Sequence, residues 1–102
     1  MFMLHTVNKS PFEKNSFESC LRLARSGSAI LLYEDGIYAA LKGTRFESAI
    51  VEALKNHAVY VLTADVEARG MRIENVIAGI KPTDYAGFVD LVVENTTVQA
   101  WL

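Results

Sequence analysis

The segment Ala29-Ile30-Leu31-Leu32-Tyr33 is apolar at successive positions, not at every second one. A strand with one wet face alternates. A strand without alternation is covered on both faces, as a central strand of a parallel sheet is. The same character marks Met1 to Val7, broken only by His5 and Thr6, with the first strand itself placed at Met3 to Val7. It returns in Ala58-Val59-Tyr60-Val61-Leu62, β-branched and aromatic at its middle.

Between these runs the pattern turns helical. Asn8 to Lys14 is a polar loop, marked by Ser10-Pro11, since proline pushes its predecessor out of the helical region. A helix is expected over Asn15 to Ser26. Asn15 and Glu18 have the capping-box spacing, Phe17, Cys20 or Leu21, and Ala24 share a side, and Gly27 supplies the stop. Thr44 and Glu47 form a second capping pair, before Phe46, Ala49, Ile50, Ala53 and Leu54 at i, i+3, i+4, i+7 and i+8. Ala64 to Arg69 reads as a short helical turn closed by Gly70. Residues 71 to 80 carry the weakest pattern, with Val76-Ile77 as the core of a short fourth strand. Pro82-Thr83-Asp84 opens a last helix with Thr83 as its cap. Tyr85, Phe88, Val89 and Val92 are its expected buried stripe, and Gly87 lies inside it. Asn95-Thr96-Thr97 ends that helix and Val98 to Leu102 closes the chain as a strand.

Two readings compete after the second strand. Asp35-Gly36 between apolar runs is a hairpin signal. The alanines of Ile37-Tyr38-Ala39-Ala40-Leu41 favour a helix instead. On either reading strands and helices alternate, which predicts an α/β fold: one domain over residues 1–102, a mostly parallel sheet, and helices on both faces.

A net charge of −2 provides no basic field for nucleic acid or acidic lipid. No apolar run approaches the roughly 20 residues of a membrane span, and Met1-Phe2-Met3-Leu4-His5 has no signal-peptide character. A hydrophobic content of 51% is high for a small domain and hints at surface covered by other chains.

Cys20 is the only cysteine, which excludes an internal disulfide and fits a reducing cytoplasm. Any covalent chemistry of this chain's own falls to it. Against that stands its use as a small buried hydrophobe. The helical wheel puts it at the margin of the apolar stripe, where partial exposure is allowed. In the second turn it gains little from the helix dipole. His5 lies within or at the end of the first strand, near where open α/β sheets take ligands. His57 suits a helix C-terminus. Glu34-Asp35 reads as a turn pair, with acid–base or metal work as the sharper alternative. Two separated histidines make no metal signature, and no Gly-rich phosphate loop is present, so no cofactor is expected. Lys42, Arg45, Arg69 and Arg72 form no run, which gives no basis for direct tRNA binding.

Four blocks, in order, resemble the DsrH/TusB family of sulfur-relay proteins. They are Met3-Leu4-His5-Thr6-Val7-Asn8-Lys9-Ser10-Pro11-Phe12, then Ala29 to Ala40, then Val59 to Leu62 with Asp65 to Gly70, and finally Asp84 to Leu91 with Gln99-Ala100-Trp101. The resemblance implies a five-stranded, largely parallel DsrE/DsrF/DsrH-like domain in which Asp35-Gly36 leads into a helix. It also implies a place in a heterohexamer, a dimer of heterotrimers, beside DsrE/TusD-like and DsrF/TusC-like subunits. Such complexes pass persulfide sulfur to a downstream acceptor protein. One branch serves sulfur oxidation and the other tRNA wobble-uridine 2-thiolation. DsrH-type members carry a cysteine where Cys20 stands, while many TusB-type members do not. The expectation is therefore a sulfur-oxidation relay subunit with Cys20 as candidate persulfide acceptor, the alternatives being a TusB-type subunit and a non-catalytic adapter.

Overall fold

In the computed structural model, which describes residues 3–95 and 97–102, the three non-alternating runs lie side by side. They are β1 (Met3–Val7), β2 (Ala29–Leu32) and β3 (Ala58–Leu62). β4 (Lys81–Thr83) extends the sheet beyond β3, and β5 (Thr97–Trp101) pairs with the other edge of β1. The order is β4-β3-β2-β1-β5, and every pairing is parallel. Met1, Phe2 and Thr96, which the apolar first run and the Asn95-Thr96-Thr97 break included, lie outside the described residues.

Strand periodicity then divides the side chains between two faces. Val7, Ile30, Leu32, Val59 and Val61 belong to the larger core, with Phe17 and Cys20 of α1 (Ser16–Leu23), Ile50 of α2 (Glu47–Ala53) and Val66 of α3 (Thr63–Ala68). Leu4 and Leu31 point the other way, onto Leu91 of α4 (Tyr85–Glu94). Each fully buried Leu or Ile contributes about 1.5–3 kcal/mol, so the larger cluster dominates the stability.

The stretch after β2 forms a 3-10 helix, Glu34–Ala40, and no hairpin. The reason is topological: β1 and β3 already occupy both edges of β2, so a returning strand has nothing to pair with. Gly36 makes the turn possible, because a Cβ there would sit 2.2 Å from the Val7 carbonyl oxygen.

Several local expectations shift. Asn15 makes no side-chain cap bond, and α1 ends at Leu23, with Ala24 extended. Gly27, at φ 92°, sits in the following turn, where its N–H reaches the Asn56 carbonyl at 2.8 Å. Thr44 and Glu47 form no capping box on α2, whose N-cap is Phe46 without a side-chain cap bond; they order the turn before it, with Phe46 N–H donating to Thr44 Oγ1 and Gly43 N–H to Glu47 Oε1. Val76 makes only one antiparallel bridge, with Leu41. The fourth strand is Lys81–Thr83, whose Pro82 is tolerated because the strand is an edge. Thr83 is thereby used as strand, and Asp84 caps α4 by accepting from Gly87 N–H at 2.8 Å. The expected buried stripe of that helix is not buried: Leu91 is, Phe88 is half-buried, and Tyr85, Val89 and Val92 face out.

Replacing Gly36 by Ala drives a methyl into backbone and is expected to cost about 3 kcal/mol. Asp84→Ala, which loses one cap, should cost about 1 kcal/mol. Urea midpoints at constant m decide the ranking; a Gly36→Ala midpoint equal to wild type would contradict the close approach.

Candidate functional site

Cys20 lies on the inner side of α1 with Ser16 and Phe17, fully buried. The wheel margin expected from sequence is closed. Leu21, expected nearer the stripe's centre, is only half-buried, and Cys20 takes the inner place. The start of the helix is fixed by Ser16 Oγ, which donates to the Leu102 carbonyl at 3.2 Å and so ties α1 to the end of β5. Burial pushes the Cys20 thiol up to about 12. The thiolate is the reactive form, so this environment suppresses nucleophilic chemistry.

His5 sits in the middle of β1, not at its end. Trp101 Nε1–H donates to His5 Nδ1 at 3.0 Å, which places the imidazole proton on Nε2. That Nε2 is buried with no partner among the described residues. Burial, with a smaller push from His57, holds the His5 pKa below its ordinary 6.5. The His57 backbone N–H donates to the Ala53 carbonyl that ends α2 at 2.9 Å, while its ring turns away and Nδ1 meets the Ser28 carbonyl at 3.1 Å.

The carboxyl ends of β1, β2 and β3 carry a polar rim. Glu34 adopts a left-handed φ of 47°, rare for a side chain with a Cβ. Asn8 Nδ2 donates to Glu34 Oε1 at 3.0 Å, and Glu34 N–H donates to Asp65 Oδ2 at 2.7 Å. Arg69 Nε donates to Asp35 Oδ1 at 2.9 Å, and its guanidinium also approaches Asp65. Glu34 and Asp35 are therefore turn and ion-pair residues. No cluster of three or more His, Cys, Asp or Glu suited to a metal exists among the described residues. Arg45 stacks on Phe12 and Phe46, and Arg72 closes the short 3-10 turn Ile73–Asn75. The structure thus brings Glu34, Asp35 and Arg69 together and leaves Cys20 apart in the core.

In parallel sheets ligands collect where strand order reverses, outside the carboxyl ends. Here that point lies between β1 and β5, beyond Val7 and Trp101. The Ser16–Leu102 bond lies at this end of β5. Elsewhere among the described residues, one depression of about 290 Å³ is lined by Leu21, Ala49 and His57, and another of about 390 Å³ by Ala29, Ala58, Tyr60 and Leu91. What sequence reasoning missed is the outward apolar face of α4. Its signal, the Tyr85-Val89-Val92 spacing, was present and was assigned to the core.

A family model described as DsrH-like protein matches residues 9–98. Protein TusB of Escherichia coli O1:K1 is 41% identical over 103 residues, covering 97% of this chain and all of that protein. Protein TusB of Shigella dysenteriae serotype 1 is 40% identical over 101 residues with the same coverage. Among solved structures, the ychN protein of E. coli superposes with a TM-score of 0.85 at 18% identity, covering 98% of each chain. A Methanobacterium thermoautotrophicum protein of unknown function gives 0.70 at 11% identity, covering 96% of each. These structures share the fold.

Two outcomes are expected. With its thiol near 12 and sealed, Cys20 should react with a disulfide reagent at about pH 8 orders of magnitude more slowly in the folded chain than in urea; equal rates would contradict the burial. His5, with its folded pKa lowered, binds fewer protons folded than unfolded. Its contribution is complete above 6.5 and is lost as pH falls below that value toward the folded pKa, at up to about 1.4 kcal/mol per pH unit. Urea titrations of wild type and His5→Gln between about pH 8 and pH 5 should diverge in slope, and parallel curves would refute this.

Proposed function

The chain belongs to the DsrH-like protein family, and from that membership we propose that it is one subunit of a sulfur-relay complex, acting toward 2-thiolation of the tRNA wobble uridine. The observation that carries this reading is end-to-end similarity to TusB proteins at 41% identity. The sulfur-oxidation branch, favoured in the sequence by Cys20, receives less support, because the matched relatives bear the TusB name. The expected setting is the cytoplasm; no helix among the described residues is long and apolar enough to cross a membrane.

Within the complex we assign this chain an assembling role and the sulfur-bearing cysteine to a DsrE/TusD-like partner. In a relay step a thiolate attacks the outer sulfur of a donor persulfide. A new S–S bond forms, the old one breaks, and the donor leaves as thiolate. The attacking group must be deprotonated and within reach. The burial of Cys20 and its thiol pushed up to about 12 support leaving it out of this step. Its position in the first helix, shared with DsrH-type members, is what supports the rival reading of a direct acceptor.

The test is to co-express the chain with DsrE/TusD-like and DsrF/TusC-like companions, load the complex from a persulfide donor and weigh each subunit. Sulfur, about +32 Da, is expected on a companion and not on this chain. Cys20→Ala should leave transfer within about twofold, the effect of a buried packing residue. Sulfur on this chain, or an assembled Cys20→Ala complex that no longer transfers, would instead establish Cys20 as acceptor. Deleting the gene should lower tRNA 2-thiouridine; unchanged tRNA would return the sulfur-oxidation branch.

A further inference from the structure

We propose that the outer face of α4 seats a different protein chain, one whose docking surface is apolar at its centre and basic at its rim. The inference rests on the relay-subunit reading for the identity of the companion, and on the surface itself for the site. Tyr85, Val89, Val92 and Val93 are 61%, 60%, 41% and 78% exposed. They recur at i, i+4, i+7 and i+8, one stripe of about 100° on a helix. The packed side of the same helix is the adjoining, narrower arc built on Leu91 and half-buried Phe88. The apolar face of α4 is therefore wider than the sheet covers, and the stripe is the part left uncovered. Gly87 makes the helix approach β4 closely, because a Cβ there would meet Thr83 Oγ1 at 2.0 Å. Asp84 fixes its first turn. The stripe is therefore presented on a supported element, and Tyr85 supplies an aromatic anchor of the kind that dominates interfaces.

Charge selects the occupant. Residues 82–102 hold Asp84, Asp90 and Glu94 and not one Lys or Arg, although the whole chain has 10 basic residues. None of these three acids takes part in a salt bridge among the described residues. Asp90 and Glu94 flank the stripe on one side of the helix, and Asp84 stands at its start. A second copy of this chain docked face to face would oppose acid to acid, which is repulsive. A chain with Lys or Arg around an apolar patch complements the face at centre and rim.

The experiment uses the complex co-expressed with both companion subunits. Val89→Glu should weaken assembly about 30-fold or more, as loss of a hot-spot contact does, with the chain's own circular dichroism and Tm unchanged. Val51→Glu, on α2 and 48% exposed, should assemble like wild type. Asp90→Lys with Glu94→Lys should slow association about tenfold at low salt and flatten its salt dependence. Full assembly of Val89→Glu while wild type also assembles would overturn this inference and leave the relay reading standing. Failure of wild type to assemble with either companion would take both down. A self-dimer of the isolated 11.3 kDa chain, abolished by Val89→Glu, would give the face to a second copy and overturn the proposal.

Discussion

β2 is enclosed on all four sides. β1 and β3 satisfy its two edges, the larger core lies over Ile30 and Leu32, and Leu31 is covered by Leu4 and Leu91. No backbone group of such a strand can be left unpaired, and no polar side chain fits it. The rest of the chain follows from that enclosure. The segment leaving β2 cannot fold back, so it turns through Gly36 against the Val7 carbonyl and becomes a 3-10 helix. Each later strand must cross over to arrive parallel. The last strand takes the free edge of β1.

That final pairing closes more than the sheet. β5 brings Trp101 to His5 and Leu102 to Ser16. Through Ser16 the end of the chain sets where α1 sits, and α1 sets where Cys20 points. The thiol is buried where α1 packs on the sheet, in the cluster with Phe17 and Ile50. Burial of His5 in mid-strand, with a smaller push from His57, lowers the imidazole's affinity for a second proton, and its Nε2 has no partner among the described residues.

The parallel sheet was legible because Ala29 to Leu32 and Ala58 to Leu62 fail to alternate, a direct imprint of two-sided burial. The fourth strand was not. Lys81-Pro82-Thr83 has no strand-forming pattern of its own, and it pairs because the edge of β3 is free, while the apolar Val76-Ile77 satisfies itself by burial and one bridge. The family resemblance supplied the helix after Asp35-Gly36, which pattern alone left undecided. For the candidate site, the wheel of α1 misplaced Cys20 because the buried side runs through Ser16, Phe17 and Cys20, with Ser16 drawn in by a long-range bond to Leu102 that no local spacing reports. In α4 the periodicity was read correctly as apolar and wrongly as core: spacing reports that a face avoids water, not which molecule covers it.

This distinction bears on what a single cysteine in such a family member does. Moving a thiol from its ordinary 9.0 to about 12 opposes deprotonation by roughly 4 kcal/mol. Opening the core around Phe17 and Ile50 to admit a persulfide adds the loss of packing. A relay step carried by Cys20 would have to recover both from binding a partner. A surface such as α4 makes no such demand, because its apolar side chains already stand in water and gain by being covered. Packed inside and docked outside, the apolar content of this chain serves two burials: one that folding completes and one that it leaves to another polypeptide.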